Sequence, residues 1–286
     1  MIRVVVFFLC FFSAMLKAEP MYWMAQKGDL KLMLLGSVHV GDDSLYPLPD
    51  TVNQFLEQSD GLIIETDVRK SSGVNYPTSD IATRDVLSPT QQQQLSAIAK
   101  QFELDNKTLL DAPPWAAAIS LQIKQLEYLG YRSDDGVDIR LVYQATVKGI
   151  PVLSLETMQF QINLLTSQPE GGKELLTSFI DEYERADTMI QCLLKSWKTG
   201  DLKSLERFSE LAALSEEYEN QFITQRNQDW ANKLANRFIT QSKGNYLVVV
   251  GMLHLVGQDN LITLLRQKGF VITKLSNEGN AQCSFG

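Results

Sequence analysis

The chain has 286 residues and a formal net charge of −8, and 44% of its residues are hydrophobic. This length is enough for one large domain with a substantial core. The acidic charge, without a basic stretch that could follow phosphates, argues against nucleic acids and anionic membranes as partners.

The first eighteen residues are typical of a secretory signal peptide. They have an early Arg3, an apolar run over 4–16 and a small residue at Ala18. The run is shorter than the roughly 20 apolar residues that a membrane helix needs. We therefore expect cleavage after residue 18, which leaves a single exported domain over 19–286, periplasmic or extracellular, without a membrane anchor.

Five short apolar runs predict the strands of a central sheet. Most of them lack strict alternation, which is typical of strands buried on both faces. Helical patterns separate the runs, so the sequence predicts an α/β fold with a mostly parallel central sheet and helices on both sides. In chain order the runs are 32–35, 62–64, 151–155, 246–250 and 271–275, the last of which alternates and is predicted to be an outer strand.

Caps and apolar spacing predict the helices between these strands. Ser88 and Pro89 form a plausible start of one helix, and a second covers 115–129 before Gly130. A large helical insertion is predicted over about 173–241. It contains a long amphipathic helix, a break near 199–201 and a further helix from about 215. Whether this insertion closes over a site as a lid or packs beside it stays open.

Two cysteines remain after the predicted leader, Cys192 and Cys283. An oxidising compartment would permit them to pair. Cys192 also suits a small buried apolar residue within its predicted helix, so the sequence leaves both interpretations open.

The only two histidines of the chain occupy the same short motif. His39 lies in LKLMLLGSVHVG and His254 in NYLVVVGMLHLVG, so each Gly-x-x-His follows an apolar run. Two other runs end in Glu65 and Glu156. Ligands of open parallel sheets bind outside the carboxyl ends of the strands, so we expect these four side chains to meet at one edge.

Two imidazoles and one or two carboxylates suit a divalent metal ion such as Mn, Co or Zn. Such an ion could activate a bound water and polarise a carbonyl. The sequence thus predicts His39, His254 and Glu65 as ligands, with Glu65 or Glu156 as a general base. Either glutamate could instead cap a helix or accept backbone N–H groups. Asp138 lies in the first turn of a predicted helix, where a carboxylate is favoured without any catalytic role.

Arg226 and Asn227 fall on or beside the apolar face of the helix predicted from about 215. A buried arginine needs an anionic partner or a polar cleft. Arg226 could therefore orient a substrate, or simply pair with Glu65 or Glu156.

The segments GSVH, IIE, GVDIRLVYQATVKGIPVLSLETMQFQ, QRNQDW and VVVGMLHLVG resemble the TraB/GumN family. This family includes the Tiki-type proteases, which inactivate Wnt by removing N-terminal residues. The resemblance implies an α/β core with helical insertions and, for the Tiki branch, metal-dependent peptidase activity. Carried over by motif, the shared site residues are His39, Glu65, Arg226, Asn227 and His254.

The leading hypothesis is an exported metal-dependent hydrolase, most simply a peptidase, whose partner is a peptide or a small molecule. Arg226 and Asn227 would position the substrate or stabilise an oxyanion. One alternative is metal-independent hydrolysis, such as ester cleavage, in which one histidine acts on water and the other polarises the substrate. Another is a non-catalytic protein that binds a peptide in the same cleft. The sequence leaves the metal and the oligomeric state open.

Overall fold

The computed structural model describes residues 19–236 and 243–285. Residues 1–18, predicted to be a signal peptide, lie outside the described residues. Within the described ranges, no helix combines the length and apolarity that crossing a bilayer requires.

Six strands of the described residues form one sheet, and helices surround it. The strand order is β4-β3-β5-β2-β1-β6. The neighbours β2 and β5, β5 and β3, and β3 and β4 are parallel, whereas β1 is antiparallel to both β2 and β6. The mostly parallel sheet is thus confirmed. The strands are β1 (Tyr22–Lys27), β2 (Asp29–Ser37), β3 (Gly61–Ile64), β4 (Val152–Ser154), β5 (Lys243–Gly251) and β6 (Val271–Lys274).

The helices are concentrated between β3 and β5, which confirms a helical middle of the chain. They are α1 (Asp50–Glu57), α2 (Thr83–Val86), α3 (Pro89–Gln101), α4 (Asn106–Asp111), α5 (Pro114–Tyr128), α6 (Val137–Val147), α7 (Met158–Thr166), α8 (Lys173–Thr199), α9 (Leu202–Ala212), α10 (Glu216–Glu219), α11 (Gln225–Asn236) and α12 (Leu261–Gln267).

Several predicted boundaries are confirmed by local contacts. Ser88 caps α3, because its hydroxyl accepts the Gln91 N–H while the Gln91 side chain accepts the Ser88 N–H. The break after α8 falls at Gly200, whose φ of +65° suits glycine. Strand β6 lies at the edge of the sheet, as its alternation predicts.

Other elements differ from the prediction. The helix predicted from about 215 is divided into α10, a π turn (Asn220–Thr224) and α11, and residues 237–242 lie outside the described ranges. The sequence analysis also missed β1 and α9. Strand β1 starts four residues after the predicted leader, and its burial ends before its last two residues, so its apolar signal is short.

The buried apolar residues form two clusters that α8 connects. The larger cluster covers the sheet and includes Leu194 and Trp197 from the carboxyl half of α8. The smaller one lies among α3, α4, α5 and the first turns of α8, where Leu176 and Ile180 are buried. A disulfide joins Cys192 of α8 to Cys283 in the C-terminal segment, which settles the question that the sequence left open. Helix α8 therefore packs into both apolar clusters, and the disulfide joins it to the C-terminal segment.

Candidate functional site

Four parallel strands place their carboxyl ends at one edge of the sheet. At this edge Ser37 of β2 pairs with Gly251 of β5, and β3 and β4 lie beside β5 in the same direction. The predicted side chains follow these strand ends: His39, Glu65, Glu156 and His254.

Gly251, the last residue of β5, provides the space in which the two imidazoles approach each other. A methyl group on its Cα would lie 3.2 Å from Glu65 Oε1, and 3.6 Å from both His39 Nε2 and His254 Cδ2. The φ of Gly251 is −50°, which any residue can adopt. Glycine is therefore needed here for space, and the three predicted metal ligands surround that space.

Arg226 lies at the centre of the site and uses all of its N–H donors. An arginine has five. Its Nε and one Nη donate to the two oxygens of Glu156 at 2.8 and 3.0 Å, and the same Nη donates to Glu65 Oε2 at 2.6 Å. The other Nη donates to the Phe222 carbonyl at 3.0 Å and contacts His254 Nε2 at 3.2 Å. In this arrangement Arg226 positions three site residues and retains no donor for a substrate.

The π turn before α11 fixes the direction of Arg226. It contains Phe222, whose carbonyl accepts one guanidinium N–H, and such turns are frequent at functional sites. The guanidinium also lies 4.7 Å from the centre of the Trp230 ring, a favourable cation–π arrangement. Backbone geometry and an aromatic face thus hold the buried cation between the glutamates.

Glu156 is saturated with hydrogen bonds, whereas Glu65 is not. Besides the two bonds from Arg226, Glu156 accepts the Trp230 indole N–H at 2.9 Å and the Gln161 amide at 3.3 Å. Glu65 Oε1 accepts one hydrogen bond, from the Gly251 N–H at 2.6 Å. A carboxylate oxygen can accept more than one, so Glu65 Oε1 retains capacity toward the open space and Glu156 does not.

Asn227 fixes the orientation and tautomer of His254. Its Oδ1 lies 2.7 Å from His254 Nδ1, and its Nδ2 donates to the Asp259 carbonyl at 3.1 Å. Because Arg226 can only donate, His254 Nε2 accepts from it and Nδ1 carries the proton. Burial and the Arg226 charge lower the pKa of His254 to about 3, although Glu65 opposes this. His254 is therefore a buried neutral imidazole.

His39 has the opposite electrostatic setting. Its side chain is 61% exposed, and Nδ1 lies 2.9 Å from Asp138 Oδ2. Desolvation lowers the pKa of His39, but the hydrogen bond and charge of Asp138, aided by Glu65, raise it to about 9. His39 therefore carries a proton near neutral pH and directs Nε2 toward the open space.

The charge of Glu65 is maintained in spite of its burial. Burial raises the pKa of a carboxyl group, but His254, His39, Arg226 and the Gly251 N–H together lower the pKa of Glu65 to about 2. It is therefore an anion at any physiological pH.

The donor set suits a divalent ion, because an imidazole and a carboxylate with free capacity face the space at Gly251 beside a second imidazole. Glu65 offers a donor atom there, and His39 offers Nε2 once it loses its proton, whereas His254 Nε2 is engaged by Arg226. Accordingly, no three His, Cys, Asp or Glu side chains of residues 19–236 and 243–285 form a ready-made metal-binding group. A metal held by all three predicted ligands would require His254 to release Arg226.

The structure brings together all six side chains that the sequence predicts for the site. Two further contributors had weaker sequence signals. Asp138 was favoured as a helix-terminal carboxylate and here also holds His39. Trp230 marked only an apolar helix face, yet its indole N–H is bonded to Glu156. Its four-residue spacing from Arg226 is the signal that could have indicated this role.

A sequence model of the TraB/PrgY/gumN family matches residues 21–274, which include every site residue above. The chain belongs to this family. Membership confirms the resemblance that the Gly-x-x-His motifs indicated. No solved structure matches the chain at a significant level.

Two bacterial proteins are similar in sequence to most of the chain. The uncharacterized protein YbaP of Escherichia coli K12 is 30% identical over 246 residues, which is 84% of this chain and 89% of that protein. YbaP of Shigella flexneri is 30% identical over 240 residues, 82% of this chain and 87% of that protein.

Proposed function

We propose that this chain is an exported hydrolase that cleaves peptides with a divalent metal ion in the cleft in front of Gly251. One observation carries the proposal. His39 Nε2, Glu65 Oε1 and the edge of His254 surround the same small space, although they come from three separate strand ends. Such a space at the carboxyl edge of a parallel sheet is where ligands of this architecture bind.

Within the cleft the residues have distinct roles. His39, the exposed member, contacts the substrate and is oriented by Asp138. Glu65 faces the same space as a carboxylate and is the general base or the anionic ligand. Glu156, Arg226 and Asn227 position these groups, because their hydrogen bonds are directed at other members of the site.

The residues that would hold the ion are His39, Glu65 and His254. When bound, a divalent ion supplies Lewis acidity, which polarises a carbonyl and acidifies a water molecule. Asn227 supports this role of His254, since a hydrogen bond to the other ring nitrogen fixes the tautomer of a ligating histidine.

A metal-independent hydrolase is the second candidate, and the contact between Arg226 and His254 favours it. In this version His39 holds the proton that polarises the substrate carbonyl, and neutral His254 is the base once its Nε2 is released by Arg226. Their pKa values are displaced in opposite directions, which is a common arrangement of paired acid and base groups.

The experiment combines metal analysis of the purified protein with turnover of a peptide mixture, before and after treatment with a chelator. We expect turnover to require Mn, Co or Zn and to fall at least about 100-fold in His39→Ala, His254→Ala and Glu65→Gln. Asp134→Asn is the matched control, because that side chain is 85% exposed and pairs with Arg132 on the surface. Unchanged metal content and turnover in both histidine variants would contradict the proposal.

The other outcomes select the alternatives. Turnover that survives chelation but requires both histidines selects the metal-independent version. Stoichiometric peptide binding without product, even with Mn, Co or Zn supplied, selects a binding protein. Export is tested separately by cell fractionation and by N-terminal sequencing, which should begin at Glu19.

A further inference from the structure

A cavity of about 300 Å³ opens beside the candidate site, between α6 and the carboxyl ends of β2, β3 and β5. His39 and Glu65 line it on one side. Five aliphatic side chains make up most of the remaining lining, and polar ones, among them Thr66, Ser133 and Gln161, complete it. The aliphatic residues are Ile64, Val68, Ile139, Val142 and Val249. An occupant would therefore have an apolar part among these side chains and a polar part beside His39 and Glu65.

Two residues that line this cavity each have a buried side-chain oxygen without a hydrogen-bond partner. Among the described residues, four buried side-chain oxygens lack a partner, and two of them, Ser37 Oγ and Asp138 Oδ1, belong to residues that line the cavity. Ser37 is only 2% exposed. A buried hydroxyl without a partner has lost its hydrogen bonds to water at a cost in free energy, so the site favours a ligand that pairs with it.

The two atoms offer complementary capacity. A serine hydroxyl can donate one hydrogen bond, and a carboxylate oxygen can only accept. A secondary amide presents one carbonyl acceptor and one N–H donor, which matches this pair. A charged ligand side chain placed among the five aliphatic residues would have to leave water at a large free-energy cost.

We propose that this cavity is a specificity pocket for a peptide residue with a branched aliphatic side chain, such as leucine. Ser37 Oγ donates a hydrogen bond to the amide carbonyl of that residue, and Asp138 Oδ1 accepts the amide N–H. The inference rests on the proposed function and names its substrate class. Ser37 acts here as a substrate-binding residue beside the reacting groups.

The first test measures binding directly, without turnover. N-acetyl-leucinamide and N-acetyl-glycinamide are titrated into the Glu65→Gln protein, and binding is followed by NMR chemical shifts. We expect at least about tenfold tighter binding of the leucine compound, since burial of its aliphatic side chain removes apolar surface from water. Equal affinity for the two compounds would overturn the proposal.

Filling the cavity should abolish this preference. Ile139→Trp narrows it from α6, and Val68→Trp narrows it from the 3₁₀ turn Val68–Lys70, where Val68 is 44% exposed. Both should weaken leucinamide binding at least about tenfold and leave glycinamide binding within about twofold. Tyr143→Trp, on the same helix but 74% exposed, is the matched control. Retained preference in both cavity variants would contradict the assignment.

Ser37 is tested against a second buried hydroxyl. Ser37→Ala should weaken binding of the amide about three- to tenfold, the effect of one hydrogen bond, and in turnover it should raise KM more than it lowers kcat. Ser154→Ala is the control, because Ser154 Oγ is also unpartnered but does not line the cavity. If Ser37→Ala and Ser154→Ala behave alike, Ser37 binds only water and its role is refuted.

Failure of this inference is distinguishable from failure of the proposed function. Leucine-selective binding that depends on Ile139 and Ser37, without any turnover by the wild-type protein, would refute the hydrolase and support the pocket. Turnover without preference for leucine over glycine would support the hydrolase and refute the pocket.

Discussion

Arg226 balances the charge of the candidate site at the scale of single residues. It is 9% exposed and lies between two glutamates that are each 8% exposed. Burial opposes its charge, but Glu156 and Glu65 raise the pKa of Arg226 above its ordinary value. Each buried carboxylate is therefore paired, as burial of charge requires.

Removal of Arg226 should consequently destabilise the whole protein. Arg226→Ala leaves Glu156 buried without a counter-charge and Glu65 with only the more distant charge of His39, so we expect the free energy of unfolding to fall by about 3–5 kcal/mol. Urea unfolding would measure this change. Arg185→Ala is the control, since Arg185 pairs with Glu182 on the surface and should contribute less than about 1 kcal/mol. Equal effects of the two variants would show that the buried network is not stabilising.

At the scale of elements, the strand ends could be predicted and the helix that supplies Arg226 could be predicted only in part. Apolar runs of three to five residues followed by Gly-x-x-His or Glu-Thr give both the strand and its polar end. The π turn before α11 has no comparable signal, because it depends on tertiary contacts such as that between Phe222 and Arg226. Apolar periodicity therefore places Arg226 on the correct face without revealing its partners.

The end of β5 offers a direct test of the open space in front of Gly251. Gly251→Ala adds a methyl group 3.2–3.6 Å from Glu65, His254 and His39 without backbone strain, because φ is −50°. We expect peptide turnover to fall at least about tenfold, while the free energy of unfolding changes by less than about 2 kcal/mol.

Gly61→Ala is the matched control for that variant. Its added methyl group would be similarly crowded, 3.3 Å from the Pro151 carbonyl, but it lies at the opposite end of a parallel strand. Turnover should stay within about twofold of wild type. Full activity of Gly251→Ala would show that the reaction does not use this space.

At the scale of the whole molecule, the sequence predicts which segments meet but not how their atoms are paired. Parallel topology follows from helices between buried strands, and it brings His39 and His254 together across more than two hundred residues. The sequence could not predict that Arg226 and Glu156 use all of their hydrogen-bonding capacity within the site. This depends on differences of a few tenths of an ångström in donor–acceptor distances. From the sequence, a catalytic role for these two residues was therefore as plausible as a structural role in which they pair with other side chains.

The disulfide should stabilise the folded protein from outside the site. It closes a loop between residues 91 positions apart, and α8, which it fastens, also donates the Trp197 indole N–H to the Gly36 carbonyl in the strand before His39. Cys192→Ser combined with Cys283→Ser should lower the free energy of unfolding by about 2–4 kcal/mol. A reducing agent should destabilise the wild-type protein equally and leave the double variant unaffected. Insensitivity of the wild type would contradict this expectation.

The two histidines should give the metal-free protein a maximum of stability near pH 6.5. The folded-state pKa of His254, about 3, lies below its ordinary 6.5, so the unfolded chain alone binds this proton and stability is lost as the pH falls from 6.5 toward 3. The folded-state pKa of His39, about 9, lies above 6.5, so its contribution is complete below pH 6.5 and is lost as the pH rises through 9.

The loss of stability at alkaline pH should be smaller than the loss at acid pH. The His39 side chain is 61% exposed, so solvent screens its interaction with Asp138. Urea unfolding in the presence of a chelator, at intervals from pH 4 to 9, measures both limbs. NMR titration of the two imidazoles assigns each change in stability to one histidine, with His39 protonated and His254 neutral at pH 7.

Asp138→Asn removes the charge that raises the pKa of His39. The loss of stability at alkaline pH should therefore disappear, while the loss at acid pH persists. An alkaline limb of unchanged slope in Asp138→Asn would show that the pair of Asp138 and His39 does not hold this proton.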